Sequence, residues 1–263
     1  MSRRARVEPV PGEPAAVART DGERVLVVAD YHAGIEVGLR YERGVELESA
    51  ADVRLARLER LLDRTRPDRL LVLGDLVHRI GPPDGDEVDE LVTVVDRVTD
   101  RVPMTLVPGN HDGGVADTVA KRGVDLEVVD SGGVRLGPVG FVHGHTWPAS
   151  DVLRADVVCT AHEHPTVKLA DEVGGSRVER AWLRGRLDPT AFAGHVDVDV
   201  DADTGAGHGA TELVVVPAFN DRSGGTWVNV DGQDFLSPFL PEALPDGELY
   251  LLDGTRLGHY RRV

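Results

Sequence analysis

The feature that most constrains this chain is a recurring unit: an apolar run that ends in a polar cluster. ERVLVVAD (23–30), RLLVLGD (69–75) and MTLVPGNHD (104–112) are the first three such runs. Segments with helical periodicity separate them. Residues 49–66 predict a helix with Ser49 as its cap, Asp52 three residues on, an inner stripe of Val53, Leu55, Leu58, Leu61 and Leu62, and Pro67 to end it. A Gly- and Pro-rich loop, IGPPDGD, precedes an amphipathic helix over 86–101, and a short helix is expected near 114–121. Strands are expected at 124–129, 134–136 and 138–143, then a short helix at 149–154 and the strand run DVVCTAHEH. Buried strands read as continuous apolar runs, and their alternation with helices predicts an α/β sheet with ligands at the C-terminal strand ends.

The last third is strand-rich: TVKLA, RVERAWLRG, TELVVVP and a final pair near 248–260. These strands (165–263) are expected to complete a second sheet within one domain spanning 1–263. An acidic, Gly-rich loop is expected near 193–210; its alternating Val and Asp could also extend an edge strand.

Five motifs carry the chemistry: Asp30-Tyr31-His32, Gly74-Asp75, Gly109-Asn110-His111-Asp112, His143-Gly144-His145 and His162-Glu163-His164. Taken singly, a Gly-Asp after a strand is a common turn, and a lone Asp-x-His is weak. In order, each near a strand end, they are expected to lie together on one rim of a sheet. Two divalent cations about 3.5–4 Å apart need a bridging carboxylate plus oxygen and imidazole donors. Asp75, at the end of a central strand, is the natural bridge. The mixed donor set suits Mn, Fe, Zn, Co or Ni better than Mg or Ca. Such ions make hydroxide near neutral pH, which attacks phosphorus in line with the leaving oxygen.

Other chemistries lack their signatures: there is no G-x-S-x-G, no Walker loop and no H-E-x-x-H. The single cysteine, Cys159, excludes both an intrachain disulfide and a C-x-x-C zinc pair, and reads as a small buried hydrophobe. No apolar run approaches the roughly 18 residues of a membrane span, and the basic N-terminus lacks the apolar stretch of a secretory signal, so a cytoplasmic location is expected. The formal charge is -16, and Lys121 and Lys168 are the only lysines. That balance suits the proteome of a salt-loving organism. It also disfavours nucleic acid, although screening in concentrated salt weakens that objection.

The five motifs resemble the calcineurin-like metallophosphoesterase superfamily. The resemblance implies a four-layer α-β-β-α sandwich of two mixed sheets flanked by helices. It implies Asp30, His32, Asp75 and His164 as ligands of one metal, and Asp75, Asn110, His143 and His162 as ligands of the other, with manganese the expected ion. His111 resembles the general acid, with Asp112 orienting its ring. Ala161 stands where the family has Gly, and Tyr31 is bulkier than usual. Gly74 to His78, with LVVVPAFNDRSGGTWVN, is similar to the archaeal SbcD-related, ICC-like phosphoesterases, and through them to the bacterial ligase-associated DNA damage response phosphoesterases. This implies a phosphodiesterase, with DNA repair as one context and small phosphoesters or nucleotides as the alternative. Asn220 is expected to belong to the fold and to rim the site.

Other residues keep two readings. His78 and His145 are candidates for contact with substrate or with a metal ligand, or for local roles only. Arg79 and Arg40 are candidates for gripping phosphate, or ordinary surface cations. Trp147, Trp182 and Trp227 read as packing residues, and His195 and His208 as solvated. A non-catalytic scaffold is disfavoured because every ligand position and His111 are filled.

Overall fold

The structure, a computed structural model, describes residues 6–171, 174–197 and 211–263. Its first half holds β1 (Arg6–Pro9), β2 (Ala15–Arg19), β3 (Arg24–Val28), α1 (Ile35–Arg43), α2 (Ala51–Thr65), β4 (Arg69–Leu73), α3 (Asp86–Thr99), β5 (Met104–Val107), α4 (Val115–Arg122) and β6 (Glu127–Val128). These six strands form one sheet in sequence order, antiparallel from β1 to β3 and parallel from β3 to β6.

The second half holds β7 (Val134–Leu136), β8 (Val139–Phe141), α5 (Ser150–Leu153), β9 (Val157–Thr160), β10 (Thr166–Ala170), β11 (Ser176–Arg186), β12 (Glu212–Val215), β13 (Glu248–Leu251) and β14 (Arg256–His259). They build a second mixed sheet in the order β14-β13-β11-β12-β9-β8-β7, with β10 paired to β11. Among the described residues, the parallel strand pairs of this sheet are β12–β9 and β9–β8. The architecture is α/β, two mixed sheets flanked by helices.

The apolar alternation shows why the sheets stack. In β4, Leu70 and Val72 face the helices α2, α3 and α4, while Leu71 and Leu73 face the second sheet. Val25 and Val27 of β3 and Val214 of β12 join the same inter-sheet layer as Leu71 and Leu73. Burying each such side chain contributes about 1.5–3 kcal/mol. The outer face of the second sheet is covered by α5 and by the segment carrying Phe239, Leu240, Ala243 and Leu244. Cys159 lies in the inter-sheet layer as a free, buried thiol.

Several expectations need correction. The β1–β2 hairpin lies outside the expected strands, because AAVAR is short and Ala-rich. Ala16 and Ala18 are wholly buried there, small enough for the sheets to approach closely. Helix α1 was also missed; it opens and closes on the left-handed glycines Gly34 and Gly44. The cap position of α2 is Ala50, although Ser49 Oγ does accept from the Ala51 amide at 3.3 Å. Val53 is 67% exposed, and Arg54 takes its place on the buried stripe with Leu58, Leu61 and Leu62. Helical spacing from Leu58 reaches back to 54, not 53. The Val-Asp stretch from 198 onward, with His208, lies outside the described residues.

Candidate metal centre

The parallel strands β3, β4 and β5 end side by side, and just beyond them come Asp30, His32, Asp75, Asn110 and His111. The parallel neighbours β8 and β9 deliver His143, His162 and His164 from the other sheet. The single rim read from the sequence is therefore corrected to two: three motifs stand on one sheet and two on its partner. Periodicity reports burial, and both sheets bury their strands.

The backbone at these positions is unusual. Asp30 (φ 54°), His32 (φ 50°), Asp75 (φ 50°), His162 (φ 70°) and His164 (φ 44°) all occupy the left-handed region. Among the described residues the only other non-glycine there is Arg66, at the end of α2. Each such residue costs on the order of 1–3 kcal/mol, and clusters of them mark functional sites. Hydrogen bonds hold the strained segment: the Asp30 amide donates to Gly74 O at 3.0 Å and the His32 amide to Asp75 O at 2.9 Å. Asn220 lies beneath this segment instead of rimming the site; it is buried, and its Nδ2 donates to Tyr31 O at 2.9 Å. Ala161 is not among the positive-φ residues, so its methyl group meets no strain of that kind.

One ligand atom from each of Asp30, His32, Asp75 and His164 lies within 4.8 Å of all the others, and the same holds for Asp75, His143 and His162. Asp75 belongs to both sets. Imidazole orientation suits coordination as well. Nδ1 of His143 donates to Leu73 O at 2.9 Å, and Nδ1 of His164 donates to Gly224 O at 2.8 Å. A carbonyl can only accept, so each Nδ1 carries a proton, and in the neutral imidazole Nε2 is the atom left to bind a metal. Both carboxylate oxygens of Asp30, His143 Nε2 and Asn110 Oδ1 are buried without a hydrogen bond. Buried polar atoms are rarely left so, and a bound cation is the partner these donors fit.

Two glycines make the approach possible. A Cβ on Gly74 would lie 2.0 Å from His143 Nδ1, and one on Gly109 would lie 2.1 Å from Asp75 Oδ1. His143 from one sheet thus enters a space that only glycine leaves open on the other.

The electrostatics follow from burial and crowding. Burial raises the Asp75 carboxyl pKa, but His143, His32 and His111 outweigh it and hold the group ionised well below the usual range. Burial lowers the His143 pKa, and Asp75 and Asp30 overturn that, raising it. His162 is pushed down to about 3 by burial and by His143, so it stays neutral, as a ligand must.

The remaining candidates divide. His111 Nε2 lies 3.9 Å from Asp75 Oδ2, and its Nδ1 bonds to His78 O. Asp112 does not orient that ring, correcting the expectation. Its carboxylate instead accepts from the amides of Leu76 at 2.8 Å, Val77 at 3.3 Å and Gly109 at 2.7 Å, tying two ligand loops together. His78 stacks on His111 at 5.7 Å, and His145 lies 5.4 Å from His143, ring to ring. Arg79 and Arg40 are exposed and paired with Asp84 and Glu46 at 3.6 and 3.4 Å. Trp182 is buried, and Trp227 packs against Lys168. His195 is exposed yet stacks on Trp147 at 4.0 Å, so one face of its ring is covered.

Sequence reasoning missed the supports. Glu163, wholly buried between two candidate ligands, accepts from Ser237 N at 2.7 Å, Leu236 N at 2.9 Å and Thr226 Oγ1 at 3.0 Å. Arg54, Glu36 and Glu90 form a buried ionic cluster, and Glu90 accepts from the Gly34 amide at 2.8 Å, two residues past His32. The available signal was charge on an inner helical stripe: Arg54 lies in register with Leu58, and Glu87 and Glu90 with Leu91 and Val94.

The model of the calcineurin-like phosphoesterase family matches residues 23–228. Among solved structures, a Pseudomonas putida nuclease, MPE, is similar over 94% of this chain and 98% of its own, with TM-score 0.53 and 20% identity. YfcE, a phosphoesterase from E. coli, matches over 56% of this chain and 73% of its own, with TM-score 0.34 and 19% identity. No curated protein matches the sequence. Among the described residues, no helix is long and apolar enough to cross a membrane. With the match spanning most of the chain, from β3 past the last of the five motifs, this protein belongs to the calcineurin-like phosphoesterase family and is a metal-dependent phosphoester hydrolase.

Proposed function

We propose that the chain is a phosphodiesterase built on two divalent transition metals. Asp30, His32, Asp75 and His164 would hold one ion, and Asp75, Asn110, His143 and His162 the other. The single observation that carries this is the sharing of Asp75 between two ligand clusters. Bound there, the ions, manganese first among them, would supply an ionised water and positive charge against the phosphate oxygens.

The protein's own residues do the rest. Backbone strain and the carbonyls of Leu73 and Gly224 pre-aim the imidazoles, so little order is lost on binding. His111 is fixed through Nδ1; in its doubly protonated form it presents a proton at Nε2 for the leaving oxygen. Asp112 keeps the loops of Asp75 and Asn110 in register. His78 and His145 flank the centre within reach of substrate.

The proposed substrate is a nucleic-acid phosphodiester, in a DNA-repair context. The motif resemblance supports it, and the Pseudomonas putida nuclease shares the fold. Nucleotides or other small phosphoesters form the second reading, favoured by the charge of -16. We place the activity in the cytoplasm and in one domain over 1–263.

In Mn²⁺, Asp75→Ala and His111→Ala should each remove hydrolysis of bis-p-nitrophenyl phosphate while the fold is retained; full activity in both would end the mechanism. Single-stranded DNA left intact in high salt, beside rapid cleavage of small esters, would select the second reading. Absence of bound metal after Mn²⁺ loading would revive a non-catalytic scaffold.

A further inference from the structure

We infer that the cleft between α1 and residues 78–87 receives the leaving half of the substrate, as one uncharged nucleoside. What is cleaved rests on the hydrolase reading above; what the cleft accepts rests on the following. The cleft holds about 660 Å³, and its walls include Val37, Tyr41, Glu42, His78, Arg79 and Ile80. That volume falls within the range of sites for small organic ligands.

His78 is the partition between cleft and metal centre. It lines the cleft, stacks on His111 at 5.7 Å, and meets His32 edge-on at 5.2 Å. Neither ring nitrogen has a hydrogen bond, and Nε2 lies 3.8 Å from Glu42 Oε1 on the cleft wall. The cleft therefore lies on the His111 side of the centre, where a leaving oxygen would be protonated. In the reaction, water gives up a proton to solvent as its oxygen bonds to phosphorus, and the bond from phosphorus to the leaving oxygen breaks. That oxygen takes a proton from His111, so the released group is a neutral alcohol.

Charge and apolar surface decide its class. Glu42, Asp84, Asp86 and Glu87 line the cleft, and the one guanidinium there, Arg79, is paired with Asp84 at 3.6 Å. A second phosphate would meet like charge at short range. Uncharged hydroxyl and amino donors would instead find carboxylate acceptors. Tyr41 and Ile80 are 82% and 72% exposed at this cleft, an aromatic face and an aliphatic one for a base to stack between.

The test uses adenosine as probe, by equilibrium dialysis against metal-free protein and as an inhibitor of bis-p-nitrophenyl phosphate hydrolysis. Adenosine should bind and inhibit. The double variant Tyr41→Ala, Ile80→Ala should weaken its binding about tenfold or more, with melting temperature and metal content unchanged. Adenosine diphosphate should bind the metal-free protein more weakly than adenosine. Equal adenosine affinity in variant and wild type, no binding at all, or tighter binding of the diphosphate would each overturn the assignment. Adenosine binding without any phosphodiester cleavage would leave the cleft standing and remove the hydrolase reading. Cleavage without adenosine binding would do the reverse.

Discussion

Replacing Arg54 by Met removes the cation buried between two carboxylates and keeps most of the aliphatic volume. In the native protein the guanidinium bonds Glu36 through both terminal nitrogens, the second at 2.9 Å, and Glu90 through Nε at 3.0 Å and Nη2 at 2.8 Å. All three residues are under 10% exposed. After the change Glu36 keeps Arg222 at 2.7 Å and Glu90 keeps the Gly34 amide, so each anion retains one partner and loses its main one. Breaking a buried pair in this way costs about 3–5 kcal/mol, which is about 6–20 °C of melting temperature for a chain of this size. The pH dependence has a definite sign. In the wild type, burial raises the Glu36 pKa but Arg54 outweighs it and lowers the value, whereas burial keeps that of Glu90 raised against Arg54. Without Arg54 both carboxyls favour their protons more in the folded state than in the unfolded state. A raised folded pKa means stability is lost as pH rises, so the deficit should be larger at pH 8 than at pH 5. Urea unfolding at both pH values, in chelator and fixed salt, measures it. A variant within about 1 kcal/mol of wild type, or a deficit that grows as pH falls, refutes the reasoning.

Other outcomes follow from the same structure. Glu163→Ala leaves three donors without an acceptor, two of them buried; it should cost about 1–3 kcal/mol in urea and weaken Mn²⁺ binding, because Thr226 stands two residues from the Gly224 carbonyl that aims His164. Loading Mn²⁺ to about 100 times its dissociation constant should add about 2.7 kcal/mol, read by calorimetry, and Asp75→Asn should abolish the gain because both clusters use Asp75. Burial pushes the Cys159 thiol up to about 12, so iodoacetamide at pH 8 should leave the folded protein unlabelled and modify one thiol in urea. The folded thiol keeps a proton that the unfolded one loses near 9.0, so this group subtracts stability as pH rises above that value.

Much of the site could be read from the chain because ligation and local backbone are short-range matters. Asp30, His32, Asp75, Asn110, His143, His162 and His164 stand out by type, by spacing and by position after apolar runs. The helices at 86–101 and 114–121 were legible from period and punctuation. Less legible were elements whose signal is weak or shared. The Ala-rich β2 owes its place to close sheet contact. Arg54 breaks the apolar pattern of its helix because its partners come from two other segments. Asp112 looked like a partner of the adjacent His111, yet its carboxylate is used by amides of another loop.

By itself the sequence supplied the candidate donor set, the acidic composition and the continuous apolar runs of the central strands, since these depend on residue identity alone. Only the tertiary structure decided that the candidate ligands come from two sheets and that His143 crosses into the space above Gly74. A strand's own pattern records that it is covered, not by which neighbour. The choice of partner is made by packing across distances in sequence that no local pattern spans.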